Sequence, residues 1–119
     1  MNTTEQNIRN YLKTFTDEDI ANSVYLYDIN FDTAPIDYIM QSLSSLYEEV
    51  SALKAIVDRN FEPLDGEFLP KDPTIQARII QDYYRKESAL SKALSNEDIY
   101  NAFNSYKMAE SKQTTGPTI

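Results

Sequence analysis

The stretch 36-IDYIMQSLSSLYEEVSALKAIVDRN-60 carries an apolar repeat of seven residues. Its a and d positions are Ile36, Ile39, Leu43, Leu46, Val50, Leu53, Val57 and Asn60. Seven of these eight positions are aliphatic, over about three and a half heptads, which is near the length that indicates a coiled-coil helix. Pro35 suits a first helical turn because the amide that proline lacks would be unpaired there anyway. The pattern predicts a long central helix from about residue 33 to 60.

The width of the apolar stripe bears on what this helix packs against. A two-stranded seam favours charges at the e and g positions, but here Met40, Tyr47, Ile56 and Phe61 make four of the seven large and apolar. A wider stripe is typical of a helix with more than one neighbour. We therefore favour a helix bundle within one chain over a seam between chains, although the two interpretations do not exclude each other.

Apolar spacing on both sides of the central helix predicts further helices. The first follows Thr3 or Thr4. The second is favoured from Thr16 to about Tyr27, although Val24 to Phe31 also alternates as a strand would. Four prolines and glycines between 61 and 73 end the central helix. A fourth helix over about 73–94 is expected to pair antiparallel with the central one, because the connection is short.

The C-terminal part predicts a fifth helix beginning at Ser95 or Asn96. Residues 111–119 are polar and include Gly116-Pro117, which indicates an unstructured tail. We therefore predict an all-α fold: one helical domain of four to five helices over residues 1–110, followed by a polar C-terminal tail.

Composition narrows the chemistry available to the chain. It has no cysteine and no histidine, which excludes catalysis by Ser-His-Asp or Cys-His groups and histidine- or thiolate-ligated metals. The net charge of −8 disfavours direct binding to nucleic acid. No run of about 18 apolar residues is present, so no membrane span is expected. The N-terminus lacks a basic and then an apolar region, which predicts no secretory signal and a protein that is cytoplasmic when synthesised.

Two acidic patterns are candidates for a metal site or for acid–base catalysis. Asp28, Asn30 and Asp32 match the opening of a calcium loop, but Thr33 replaces the glycine of the turn and Ile39 replaces the bidentate glutamate. A polar turn is the better interpretation. Adjacent carboxylates along the chain do not face each other across a cleft, so paired acid–base catalysis is not expected. We predict no catalytic residue, no bound metal and no cofactor.

Candidate contacts with a protein partner lie after the central helix. The segment 62-EPLDGEFLP-70 places Leu64, Phe68 and Leu69 around an Asp-Gly turn. We expect such a loop to fold back over the end of the bundle more often than to bind a partner. Tyr83 and Tyr84 are adjacent and cannot both face one core, so one of them is expected to be exposed or at a contact.

These features favour a non-enzymatic structural or assembly protein that acts through helix packing and contacts with protein partners. Self-association or a larger assembly is expected, and a phage virion component, incorporated into the virus particle, is one instance. The codons of the abundant Asn, Ile, Lys and Tyr are AT-rich, which indicates an AT-rich source genome. The alternative hypothesis is a soluble acidic inhibitor or regulator that binds a basic protein surface, as a DNA mimic does.

Overall fold

Five helices make up the computed structural model, which describes residues 3–115 and the side chains of residues 3–111. They are α1 (Thr3–Leu12), α2 (Asp17–Ser23), α3 (Ile36–Asp58), α4 (Pro73–Leu94) and α5 (Glu97–Thr115). Residues 3–115 contain no β-strand. The prediction of an all-α bundle is confirmed, and no helix in this part of the chain is long and apolar enough to cross a membrane.

Helices α3 and α4 form the antiparallel pair that the sequence predicts. Leu46 and Val50 of α3 pack in one apolar cluster with Ala89 and Leu90 of α4. The start of α4 is fixed by Asp72, whose carboxylate accepts a hydrogen bond from the Thr74 amide at 2.8 Å, followed by proline at the first helical position. Helix α4 has the predicted bounds, whereas α3 is a few residues shorter than predicted at each end.

The main core lies around the first half of α3. Side chains from α1, α3, α4, α5 and the turn after α2 meet there, and the buried ones are Ile8, Leu12, Leu26, Ile39, Met40, Leu43, Ala93, Ile99 and Phe103. The phenolic hydroxyl of Tyr11 donates a hydrogen bond to the carbonyl of Lys92 at 2.6 Å and thereby holds α1 against the end of α4. Three consecutive helical turns of α3 therefore face neighbours from the same chain.

Helix α2 ends at Ser23 rather than at the predicted Tyr27. The Tyr25 amide donates to the Ser23 carbonyl at 2.6 Å, and Val24 has φ 63° and ψ −50°, which together describe a γ-turn of the strained, positive-φ kind. The turn buries Leu26 and leaves Val24 and Tyr27 exposed. The prediction was wrong because helical periodicity placed the wrong side chains on the inner face.

We expect Val24→Gly to raise the free energy of unfolding by about 1 kcal/mol. Glycine relieves a positive-φ strain of about 1–3 kcal/mol. Its greater freedom in the unfolded chain offsets roughly 0.5–1 kcal/mol of this gain. Little burial is lost because Val24 is 54% exposed. Urea unfolding of both proteins would measure the difference. Val24→Ala, which keeps a Cβ at the same backbone angles, is the matched control and should stabilise less.

An ion pair connects α2 to α4. The Asp19 carboxylate pairs with the Lys92 ammonium, which also lies 4.8 Å from the centre of the Phe15 ring. The same carboxylate accepts from the Thr16 amide at 3.0 Å, and the Thr16 hydroxyl accepts from the Asp19 amide, so the pair caps α2. The hydrogen bond from Lys92, followed by that from the Thr16 amide, lowers the pKa of Asp19. One carboxylate thus serves both the start of α2 and its packing.

Helix α5 is longer than the sequence pattern indicated. Its first turn is capped by Asn96, whose side-chain oxygen accepts from the Ile99 amide at 3.1 Å. The helix continues to Thr115, so the expectation of an unstructured tail was wrong for residues 111–115. Residues 116–119 of the predicted tail lie outside the described residues.

The end of the α3–α4 pair extends beyond the core as a two-helix arm, here defined as residues 51–83. Buried residues of α3 stop at Val50, and those of α4 begin at Lys86. Between them Phe61 alone is buried. The molecule measures 52 × 46 × 22 Å, and its thinnest dimension corresponds to about two layers of helix.

Candidate functional site

The predicted packing residues of α3 divide between core and arm. Ile39 and Leu43 lie in the main core, Leu46 and Val50 lie between α3 and α4, and Ile36 packs partly buried at the edge of the core. Leu53 and Val57 are half-buried in the arm. The a and d positions in the first half of α3 therefore pack within the chain. A contact with another chain would have to use the arm or another face.

The tip of the arm is residues 59–72, and it begins with a defined stop to α3. The Phe61 amide donates to the Ile56 carbonyl and the Asn60 amide donates to the Val57 carbonyl, both at 3.0 Å, which is the pairing of a Schellman motif. Asn60 takes the left-handed conformation that this motif requires, with φ 54°. Phe61 is buried, as the apolar contact of such a motif predicts. The tip therefore leaves α3 in one direction.

A charged clamp holds the rest of the tip in place. The Glu67 carboxylate accepts from the Leu64 amide at 3.1 Å and pairs with the Arg59 guanidinium, whose Nε donates to the Glu62 carbonyl at 2.6 Å. The hydrogen bond from Leu64, followed by that from Arg59, lowers the pKa of Glu67. The Glu67 amide in turn donates to the Leu64 carbonyl at 2.9 Å, which closes a turn through Gly66 at φ 78°. Glycine suits this position because it adopts positive φ without strain.

The clamped tip presents apolar side chains to solvent. Phe68 is 99% exposed and Leu64 is 63% exposed, whereas Leu69 is half-buried. The expectation that this loop folds back over the bundle is therefore wrong for Leu64 and Phe68. The clamp explains the difference, because it fixes the backbone of the turn and so fixes where these side chains point.

The two adjacent tyrosines of α4 take different environments. Tyr83 is half-buried against the cluster between α3 and α4, and Tyr84 is 60% exposed. Their ring centres lie 5.1 Å apart. As the sequence indicated, one of them faces inward and the other lies on the surface of the arm.

A groove of about 340 Å³, here called the aromatic groove, crosses one side of α5. It is lined by Tyr47, Leu94, Tyr100, Phe103, Asn104 and Lys107. The rings of Tyr47 and Phe103 have centres 5.7 Å apart, and the Lys107 ammonium lies 5.7 Å from the centre of the Tyr47 ring. Sequence reasoning did not identify this groove. The available signal was the helical spacing of residues 100, 103, 104 and 107, which share one face of a helix.

A second groove, of about 410 Å³ and here called the acidic groove, lies between α5 and the start of α3. Its charged residues are Asp37 and Glu110, and Ala102, Ser105 and Ala109 are small residues in its lining. Burial, followed by the charge of Glu110, raises the pKa of Tyr106 in the same lining. This groove would repel an anionic ligand.

The acidic side chains take part in structural contacts. Among residues 3–111, no group of three or more Asp or Glu side chains is arranged to hold a metal ion. The most buried carboxylate contacts are structural: Asp19 pairs with Lys92, Glu67 pairs with Arg59, and Glu49 pairs with Lys86 at 3.0 Å. The tip of the arm, with its exposed phenylalanine, is therefore the candidate functional site.

Neither family models, nor curated proteins, nor solved structures match this chain. The side chains of the chain itself are accordingly the basis for assigning a function.

Proposed function

We propose that the protein is a non-enzymatic structural or assembly protein that binds other protein chains through the tip of its arm. The observation that carries this proposal is Phe68, which is almost fully exposed on a loop closed by the contacts of Glu67 with Arg59 and Leu64. A component of a phage virion is one assembly in which such a protein would serve.

The energetics of the tip support binding. Burying a phenylalanine side chain stabilises a protein by about 1.5–3 kcal/mol. Phe68 does not contribute this free energy to folding, so it remains available for binding. Large aromatic side chains that fill a partner's pocket dominate the affinity of many interfaces. The clamp adds to this because a loop that is already ordered loses less conformational entropy when it binds. A phenylalanine on an ordered tip is therefore suited to act as an anchor.

Phe68→Ala is expected to abolish capture of the native partner, because the substitution removes the exposed ring and leaves the clamp intact. The full-length protein would be used as bait in extract of the source cells, and captured chains would be identified by mass spectrometry. Tyr27→Ala is the matched control, because Tyr27 is an aromatic residue 69% exposed on a different part of the chain. Equal capture by all three baits would contradict the proposal.

A further inference from the structure

We infer that the outer face of α4 binds an acidic helix of a partner protein through a row of unpaired cations. The row, here called the basic row, consists of Lys71, Arg78 and Arg85, which stand seven residues apart in the sequence. This surface does not include Phe68, so the inference goes beyond the proposed function and can fail without it.

The cations of this acidic chain divide into paired and unpaired groups. Residues 3–111 contain ten lysine and arginine side chains, and seven of them pair with a carboxylate. The three that have no ion pair or hydrogen bond within this part of the chain are Lys71, Arg78 and Arg85, and all three are exposed. Carboxylates outnumber cations by 19 to 11, so position rather than a shortage of carboxylates leaves the row unpaired.

Helix α4 differs in charge from the rest of the molecule. It carries four cations and two carboxylates, a net charge of +2, whereas each of the other four helices of residues 3–115 is neutral or negative. Seven residues correspond to about two helical turns, so Arg78 and Arg85 lie on one face, about 10.5 Å apart along the axis. Exposed Gln81 lies on the same face between them. A positive face on a chain of net charge −8 is complementary to an acidic partner.

The carboxylates beside the row are already bound elsewhere. Asp82 lies about one helical turn from each arginine, but it pairs with the ammonium of Lys86 at 2.9 Å. Lys86 is only 7% exposed, so releasing Asp82 would leave a buried charge with fewer partners. At the C-terminal end of the row, Asp19 of α2 pairs with Lys92. The row is therefore available to a carboxylate from another chain.

The shape of the row favours a helix as the partner. Carboxylates seven residues apart on an α-helix also repeat at about 10.5 Å, so such a helix can lie along α4 and pair with both arginines. A nucleic acid would bring phosphates over the flanks as well. There, Asp82 and the three carboxylates of α2, which packs against α4, would repel them. A second copy is disfavoured because none of its helices within residues 3–115 carries two carboxylates seven residues apart.

The test is fluorescence anisotropy of a labelled peptide with the purified full-length protein. The peptide is alanine-rich, about 28 residues long so that it forms a helix by itself, and has a glutamate at every seventh position. The protein is expected to bind it at least about tenfold more tightly than a peptide of the same composition whose glutamates are spread around the helix. Raising the salt concentration should weaken binding, because exposed charges are screened.

Two variants test the row itself. The double substitution Arg78→Gln and Arg85→Gln removes both cations, whereas Gln81→Glu keeps them and places a carboxylate about one turn from each, where it pairs with them inside the helix. Both variants are expected to weaken peptide binding at least about tenfold, and circular dichroism would confirm that they fold. Gln41→Glu, at an exposed position of α3, changes the net charge as Gln81→Glu does. It is the matched control and should bind as wild type does.

Several outcomes would overturn the inference. They are equal binding of the two peptides, equal binding by wild type and the double variant, equal weakening by Gln41→Glu and Gln81→Glu, and tighter binding of a labelled DNA duplex than of the peptide. Phe68→Ala is expected to bind the peptide as wild type does, and a loss of binding would place the contact at the tip instead. Capture of a native partner through Phe68 is measured separately, so either proposal can fail while the other stands.

Discussion

Leu43→Ala is expected to lower the free energy of unfolding by about 3–4 kcal/mol. Leu43 is fully buried in the main core, and leucine-to-alanine changes at such sites cost about 2.7–5 kcal/mol because a cavity remains. A domain of this size has roughly 5–15 kcal/mol in total, so the loss is a large part of its stability. Thermal unfolding should show a decrease in Tm of about 10–15 °C, and urea unfolding would give the free energy.

Leu53→Ala is the matched control for this substitution. The residue types and the helix are the same, but Leu53 is half-buried in the arm, so water fills the space that the side chain leaves. We expect a cost of about 1 kcal/mol. Equal costs at positions 43 and 53 would contradict the division of α3 into a core half and an arm half.

Lys86→Ala should have the second largest effect, a loss of about 2 kcal/mol. Lys86 is only 7% exposed, and its ammonium lies 3.0 Å from Glu49 of α3 and 2.9 Å from Asp82 of its own helix. Removing one member of a buried pair usually costs about 3–5 kcal/mol. The expected figure is smaller because both carboxylates keep some contact with water. Urea unfolding at neutral pH would measure it.

Lys86→Met distinguishes the contribution of the ammonium charge from that of the buried aliphatic part of the side chain. Methionine keeps most of the buried stem, so we expect it to cost about 1 kcal/mol less than alanine. Burial lowers the pKa of Lys86, but hydrogen bonds to Asp82 and Glu49 outweigh it and raise the pKa above the ordinary 10.5. A raised pKa in the folded state stabilises fully below 10.5 and is lost as pH rises through the folded value.

The free energy of unfolding at alkaline pH therefore tests the role of the Lys86 charge. The difference in stability between wild type and Lys86→Met should be constant at neutral pH and shrink above about pH 10.5. Tyr25 lies beside Lys86 and Glu49, and burial, followed by a hydrogen bond with Glu49, raises its pKa. A raised tyrosine pKa also makes the folded state less stable as pH rises, so Tyr25 acts in the same direction as Lys86. A difference that grows with pH would contradict the assignment.

Sequence patterns predicted the helices whose signals are local and repeated. The seven-residue repeat places Ile39, Leu43 and Leu46 on one face, and burial follows because apolar side chains leave water together. Asp72 and Pro73 marked the start of α4 because capping depends on a few adjacent residues. The antiparallel pairing followed from the length of the connection.

Features that depend on distant contacts could not be predicted in this way. The γ-turn at Val24 exists because it places Leu26 in a core built by other helices, and helical periodicity does not contain that information. The exposure of Phe68 depends on a clamp between Arg59 and Glu67, eight residues apart. The aromatic groove needs Tyr47 of α3 beside Phe103 of α5, and only the folded chain brings them together.

Helix α3 connects the core of this protein to the tip of its arm. Helix α3 has 23 residues and contains neither proline nor glycine, so it is a stiff element about 35 Å long. Its first half is fixed in the core, and the Schellman stop fixes the direction in which the tip leaves it. A chain bound at the tip is therefore held at a set distance and angle from the core. Substitutions inside the core that tilt α3 would therefore move the tip relative to the rest of the molecule.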